Sequence, residues 1–335
     1  KLFKIQCGIL AFLLMSMIAC KKETPHISED NNKDIRVLKV QYLGHDYNSS
    51  LIFGSSNSPI IFRRECSYNY DIDGRLNYIE NNGEQRVLAE YDNFQIKLTN
   101  SQVENASTIA LYWMNSTINY HNNKIENIIA TTRYPSISPL FMSDQIKMNV
   151  NRTVDGKLKS IINNDVSDFV GLYLQLNTEV ISYDANGLPD KIKGMILPIE
   201  DFQYPLSLSW EFAFLYNKAD DIPTKLKRLV NEELLFSNRY GVTNYDMFYL
   251  DSTRNFSQFG EGNWLVSFGL PQYYILEDKS SHVISQRTTN YYQIDSVSGN
   301  KELLKTKVED FPYIHDAEAK TLEIAGLKIW YEFVE

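Results

Sequence analysis

The chain has little cysteine. Two of its three residues, Cys7 and Cys20, fall in the N-terminal segment, which leaves Cys66 alone. A single thiol closes no disulfide within the chain, so the fold must be held by its core rather than by covalent staples. Arg63-Arg64-Glu65-Cys66-Ser67 is a strand-like run, where a thiol reads as packing and not as a nucleophile. Histidine is also sparse. His26, His45, His121, His282 and His315 show no HxxxH or HExxH spacing and read as tether, surface or turn residues, so no metal site is assigned. The G-x-S-x-G elbow, the Walker loop and G-x-G-x-x-G are all missing, which removes the usual signals for acyl transfer and nucleotide chemistry. Adjacent acids occur at Asp220-Asp221 and Glu232-Glu233. A glycosidase needs two carboxyls facing each other from separate elements, so neighbours in sequence say little. No catalytic residue and no cofactor is assigned, and the chain reads as a non-enzyme.

Positive charge is short as well. Lys and Arg number 33 against 42 Asp and Glu, a formal net charge of −9, which argues against nucleic acid as a partner. Glycine and proline are few, at 15 and 10, while tyrosine and phenylalanine reach 22 and 17. That balance favours sheet, and tyrosine-rich sheets can present rings to sugars as well as pack across strands.

The N-terminus reads KLFKIQCGILAFLLMSMIAC, with Lys1 and Lys4 ahead of an apolar run from Ile9 to Ile18. The run is short for a membrane span and has the layout of a secretory segment. Met17-Ile18-Ala19-Cys20 resembles the lipobox of bacterial lipoproteins. The resemblance implies cleavage after residue 19, a lipid on Cys20, and a membrane anchored through that lipid. An ordinary signal peptide cut after Ala19, or a short membrane anchor, is the bland alternative. Loss of Lys1 and Lys4 would take the net charge to −11. Residues 20–34 are charged and Asn-rich and read as a flexible tether. Lys21-Lys22-Glu23 resembles the export signal of Bacteroidetes surface lipoproteins, which implies an outer-membrane location, on the cell surface or the periplasmic face.

From residue 35 to 217 a degenerate motif recurs: an aromatic, a short polar corner, a cation or Leu, then an aliphatic. Copies are Tyr70-Asp71-Ile72-Asp73-Gly74-Arg75-Leu76, Tyr120-His121-Asn122-Asn123-Lys124-Ile125, Val154-Asp155-Gly156-Lys157-Leu158 and Tyr183-Asp184-Ala185-Asn186-Gly187-Leu188. Looser echoes begin at Tyr91, Tyr216 and Tyr313. Asp-Gly and Asn-Gly predict two-residue type I′ hairpins with positive φ at both corner positions. Tyr68 and Tyr70 are then expected on one strand face, with Leu76 and Tyr78 together on the next. The Leu158 to Ile161 spacing breaks alternation and predicts a bulge in that copy. These copies resemble the YD repeats of Rhs-type proteins. With the lipobox, the chain is similar to Bacteroidetes lipoproteins of unknown function built from such repeats. The period is irregular and the copies few, so a closed cargo shell is not implied.

Asp71 and Asp73 also suggest the start of a calcium loop. Such a loop needs alternating oxygen ligands and a distal bidentate Glu. Here Gly74, Arg75 and Leu76 follow, and the sister copies drop the second acid, so a turn explains all copies and calcium only one.

Ile222 to Gly241 breaks the sheet pattern. Leu226, Leu229, Val230 and Leu234 lie at helical spacing, Pro223 suits the first turn and Gly241 lies past the end. One amphipathic helix near 222–240 is predicted to cover a face or edge of the sheet, with Lys225, Lys227 and Arg228 in solvent or on a partner surface. "NWLVSFGLPQYYIL" and "TTNYYQIDSV" read as strands, and "KTLEIAGLKIWYEFVE" as a closing hairpin turning at Ala325-Gly326. The expectation is a mainly β fold: an antiparallel hairpin meander, as a curved sheet or sandwich, plus one helix. Domains run 1–19 signal peptide, 20–34 lipidated cysteine and tether, 35–217 hairpin repeat, and 218–335 helix and C-terminal β region continuous with it. The expected role is an envelope lipoprotein binding a glycan, peptide or partner protein through a tyrosine-rich sheet. A structural envelope subunit and a lipid carrier with a curved-sheet cavity are the alternatives. Trp113, Trp210, Trp264 and Trp330 are candidate ring platforms or core.

Overall fold

A computed structural model describes residues 34–46, 60–81, 85–101, 113–133, 144–163, 175–197, 207–236, 268–276, 281–295 and 298–334. The fold is mainly β, as expected. Seventeen strands form one antiparallel sheet, accompanied by a single helix among the described residues.

Strands β1 (Ile35–Asp46), β2 (Ile60–Tyr70), β3 (Leu76–Asn81), β4 (Gln85–Asp92), β5 (Gln95–Ser101) and β6 (Trp113–His121) each pair with the next in the chain. The meander continues through β7 (Lys124–Arg133), β8 (Asp144–Arg152), β9 (Leu158–Asn163), β10 (Gln175–Tyr183), β11 (Pro189–Leu197) and β12 (Ser207–Lys218). It ends in β13 (His282–Ile294) and β14 (Lys301–Asp310). The remaining strands, β15 (Tyr313–Asp316), β16 (Thr321–Ile324) and β17 (Leu327–Phe333), join the other side through the β17–β1 ladder. Consecutive in the chain, β14 and β15 do not pair, so among the described residues the sheet has two edges there and is not closed. Pro312 between them has no N–H to extend a ladder.

The hairpin corners are tighter in kind than the sequence suggested. At 71–75, 153–157 and 184–188 the first residue's N–H donates to the carbonyl of the fifth, each at 2.8 Å. The glycine N–H then donates back to the first carbonyl at 2.9–3.0 Å. Only Gly74, Gly156 and Gly187 take positive φ, at 78°, 88° and 81°. These are three-residue loops, a type I turn followed by a left-handed glycine, rather than type I′ corners. Type I′ geometry does appear at Asn122-Asn123 (φ 49° and 61°) and at Ala325-Gly326, where the closing hairpin turns as predicted.

The three glycine corners and the Asn122-Asn123 corner are each followed by a bulge. Asn69 faces Tyr78 while Tyr70 faces Leu76, which leaves Asn77 as the extra residue. Glu126, Lys159 and Asp190 are extra in the same way after the corners at 122–123, 153–157 and 184–188. The bulge expected only in the Leu158 copy therefore recurs. It sends Leu76 and Ile79 inward together and leaves Tyr78 half-buried, so Leu76 and Tyr78 do not share the core face.

Helix α1 (Thr224–Phe236) starts where Pro223 offers its carbonyl to Lys227 N–H at 3.0 Å. It does not lie on the sheet with one face in water. Lys227, Arg228, Asn231, Glu232 and Glu233 are as buried as Leu226, Leu229, Val230 and Leu234. One continuous core joins the helix to residues from β1 through to β17, so the sheet curls around it. Two of the three cations expected in solvent or on a partner surface are satisfied by carbonyls instead: Lys227 Nζ donates to Ala219 O at 3.1 Å, and Arg228 donates to Pro271 O. Asn231 bonds β13 like a strand residue, accepting from Ile284 N–H at 2.9 Å and donating to His282 O at 3.1 Å. Cys66, at 2% exposure, is core as expected.

Candidate functional site

Because the even strands run towards the corners, all five corner hairpins, from β2–β3 to β10–β11, lie along one rim. The tyrosines that close the even strands work there as clasps. The hydroxyl of Tyr70 donates to Val37 O at 2.7 Å, that of Tyr120 to Asp92 O at 3.2 Å and that of Tyr216 to Pro189 O at 2.7 Å. Tyr183 bonds Leu158 O in the same manner. Cations cover the rings. Arg36 lies 4.7 Å above Tyr70, Arg75 5.4 Å above Tyr91 and Lys157 5.2 Å above Tyr183. Burial pushes the Tyr70 and Tyr91 phenols up, and that of Tyr183 up to about 12.

The segment 268–276, expected as a strand, is a buried loop instead. Phe268, Leu270, Ile275 and Leu276 are inside, and Glu232 Oε1 accepts from Ile275 and Leu276 N–H, both at 3.0 Å. Tyr273 packs on Tyr120 with ring centroids 4.2 Å apart, and burial pushes its phenol up to about 12. Tyr274 bridges to the Asn123-Lys124 corner, takes Arg152 Nη2 on its carbonyl at 3.1 Å and lies under Arg228. The helix and this loop occupy the concave side of the sheet, and burial lowers the pKa of Arg152 beside them.

At the Asp71 corner both carboxylates hold the turn. Asp71 accepts from Arg75 N–H at 2.8 Å, and the Arg75 guanidinium spans Asp71 and Asp73 at 3.1 and 3.2 Å. The Arg75 N–H bond is the main cause holding Asp71 below the usual carboxylate range. A cation of the chain itself stands where a calcium ion would have to sit.

A second cluster lay outside the sequence reading. His315, expected at a turn or surface, has a side chain only 3% exposed. Its Nδ1 lies 3.3 Å from Asp221 Oδ2 and its Nε2 2.8 Å from the Tyr331 hydroxyl. Tyr313 donates to the other Asp221 oxygen at 3.0 Å, and its phenol is pushed up to about 12 by burial and then by Asp221. The order Asp–His–Tyr resembles a proton relay, but its far end is the buried Tyr331. The cluster fits a latch tying β15 and β17 to the turn ahead of α1. Only the Tyr313 echo hinted at it in sequence.

Of the other candidates, Tyr68 and Trp210 are buried, and Trp330 is half-buried between Lys39 and Lys328 at 4.9 and 5.4 Å from its ring. His121 is exposed at the end of β6, and His282 is half-buried at the start of β13. Cys20, His26 and Trp264, and the side chains of His45 and Trp113, lie outside the described residues. Among the described residues no cluster of three metal-ligating side chains occurs.

No family model matches the chain, and no curated protein matches it. Among solved structures, it is similar to a porin-like protein from Bacteroides vulgatus, with TM-score 0.44 and 12% identity over 90% of this chain and 99% of that one. A porin-like protein from Bacteroides uniformis gives TM-score 0.43 and 11% identity over 89% and 98%. Likeness at this level says nothing of what the chain binds.

Proposed function

We propose that the chain is a non-enzymatic, lipid-anchored scaffold of the cell envelope that binds a glycan, peptide or partner protein on the outer face of its wrapped sheet. The observation that carries the binding mode is the filled concave side. Helix α1 and the 268–276 loop occupy it, and the clasp tyrosines turn cation-covered rings towards their neighbours. This arrangement favours outer-face binding over the lipid-carrier alternative, which needs an apolar cavity on that side. The anchor rests on the Met17-Ile18-Ala19-Cys20 pattern, and the outer-membrane location on Lys21-Lys22-Glu23. Two measurements test the reading. Acyl label fed to expressing cells enters the wild type and not Cys20→Ala. Arrays of envelope polysaccharides and proteins retain the purified chain starting at Cys20; blank arrays would sink the binding role and leave a structural envelope subunit.

A further inference from the structure

The corner rim carries its apolar residues in an unusual place. Ile72 and Val154, at the first loop position of their turns, are 101% and 110% exposed, and Phe94, in the β4–β5 turn, is 64% exposed. They touch no core, and the turns do not need them, since turn geometry comes from the glycines and the capping carboxylates. With strands about 4.8 Å apart, neighbouring corners stand roughly 10 Å apart, so along the rim Ile72 lies about 10 Å from Phe94 and Phe94 about 20 Å from Val154, with the Asn122-Asn123 corner between those two.

The chain enters the fold at the same rim. Arg36 lies over the Tyr70 ring and against Gly74, where an added Cβ would come 2.8 Å from its guanidinium. Asp34, the first described residue, pairs with Lys225 and gives its carbonyl to Val334 N–H at 2.9 Å. Only 13 residues lie between Cys20 and Asp34. A coil of that length has a root-mean-square span of about 20 Å.

We infer that this rim docks on the bilayer that anchors Cys20, with Ile72, Phe94 and Val154 entering the interfacial layer. The inference rests on the lipid-anchor reading above. The tether makes the contact intramolecular, so three isolated side chains suffice where free protein would bind weakly. The rim charge is held within the corners: Arg75 engages Asp71 and Asp73, Lys157 engages Asp155, and Asp92 and Asp184 accept from N–H groups of their own turns. Docking is therefore apolar, with little need for anionic lipid and little sensitivity to salt.

The test uses the chain starting at Cys20, coupled through that thiol to a maleimide lipid in phosphatidylcholine vesicles; buried Cys66 does not compete. Brominated lipid then reports indole depth in Phe94→Trp and in Asn300→Trp, the latter exposed beside the β13–β14 turn at the opposite rim. After subtraction of the parent signal, Phe94→Trp is quenched at least twofold more than Asn300→Trp. Adding Ile72→Ser and Val154→Ser brings it down to the Asn300→Trp level. Equal quenching at both rims, or none at either in folded variants, overturns the docking. The vesicle result does not depend on lipidation in cells, so loss of the anchor reading shows separately, as acyl label that ignores Cys20→Ala.

Discussion

The hydroxyl of Tyr70, at the end of β2, donates across the ladder to the carbonyl of Val37, near the start of β1, at 2.7 Å. Tyr183, closing β10, makes the equivalent bond to Leu158 at the start of β9, and Tyr216, in β12 just ahead of the helix, makes it to Pro189 at the start of β11. The repeated tyrosine therefore acts between strands, by fixing where each hairpin sits on its predecessor.

Replacing a clasp hydroxyl removes one such bond while keeping the ring and its cation. Tyr70→Phe is expected to lower stability by about 1 kcal/mol. The sites are well separated, so Tyr70→Phe, Tyr183→Phe and Tyr216→Phe together lose about 3 kcal/mol. Urea unfolding checks this: the midpoint falls with the m-value unchanged. A triple variant as stable as the parent would show that the hydroxyls are interchangeable with water.

Glycine at the corner answers to two demands, and they separate by position. Gly74 has φ 78° with Arg36 against it, whereas Gly299 has φ 70° in open space. Gly299→Ala is expected to cost about 1 kcal/mol of backbone strain. Gly74→Ala costs that plus about 0.5–1 kcal/mol, as Arg36 swings off the Tyr70 ring. In an Arg36→Ala background the two glycine substitutions become equal by thermal or urea unfolding. A gap that persists would place its cause elsewhere.

The corners were legible because Asp-Gly and Asn-Gly act within five residues. The bulge was legible in one copy, and Leu76-x-x-Ile79, Ile125-x-x-Ile128 and Leu158-x-x-Ile161 show that the same spacing was there to read in others. Helix α1 was legible from Leu226, Leu229, Val230 and Leu234. Its surroundings were not. Lys227 and Arg228 signalled solvent, but their carbonyl partners Ala219 and Pro271 come from turns whose positions depend on the whole sheet curling round. His315 was missed for a similar reason. Its partners Asp221 and Tyr331 are distant in sequence, and a four-residue strand carries almost no periodicity.

Alkaline pH should unfold the protein in a defined window. A free phenol titrates near 10. Burial holds Tyr183, Tyr273 and Tyr313 up at about 12, and also raises Tyr70 and Tyr91. Between these values the unfolded chain has lost protons that the folded chain keeps, so stability is intact below pH 10 and falls as pH rises towards 12. Ionisation of these five phenols and loss of the circular dichroism signal are expected to occur together within that window. Ionisation of these five near 10 with the sheet signal intact would contradict their burial.

A buried ion pair ties β14 to β13. Arg287 on β13 is 1% exposed, between the rings of Phe212 and Phe311 at 5.1 and 5.9 Å. Its Nε and Nη2 both reach Glu309 Oε2 on β14, at 3.2 and 2.6 Å, while Lys307 holds the other oxygen at 3.0 Å. Removing the carboxylate leaves the buried guanidinium without its countercharge, which costs far more than the pair contributes. Glu309→Ala is expected to lose about 3–5 kcal/mol, with amide exchange along β14 rising first because, among the described residues, that strand pairs with β13 alone. Replacing both partners, as Arg287→Met with Glu309→Leu, removes the buried charge together with its need for a partner and recovers most of the loss. Urea unfolding of the single and double variants measures the difference. A double variant no better than Glu309→Ala would mean that Arg287 holds the edge through its two ring contacts rather than through Glu309.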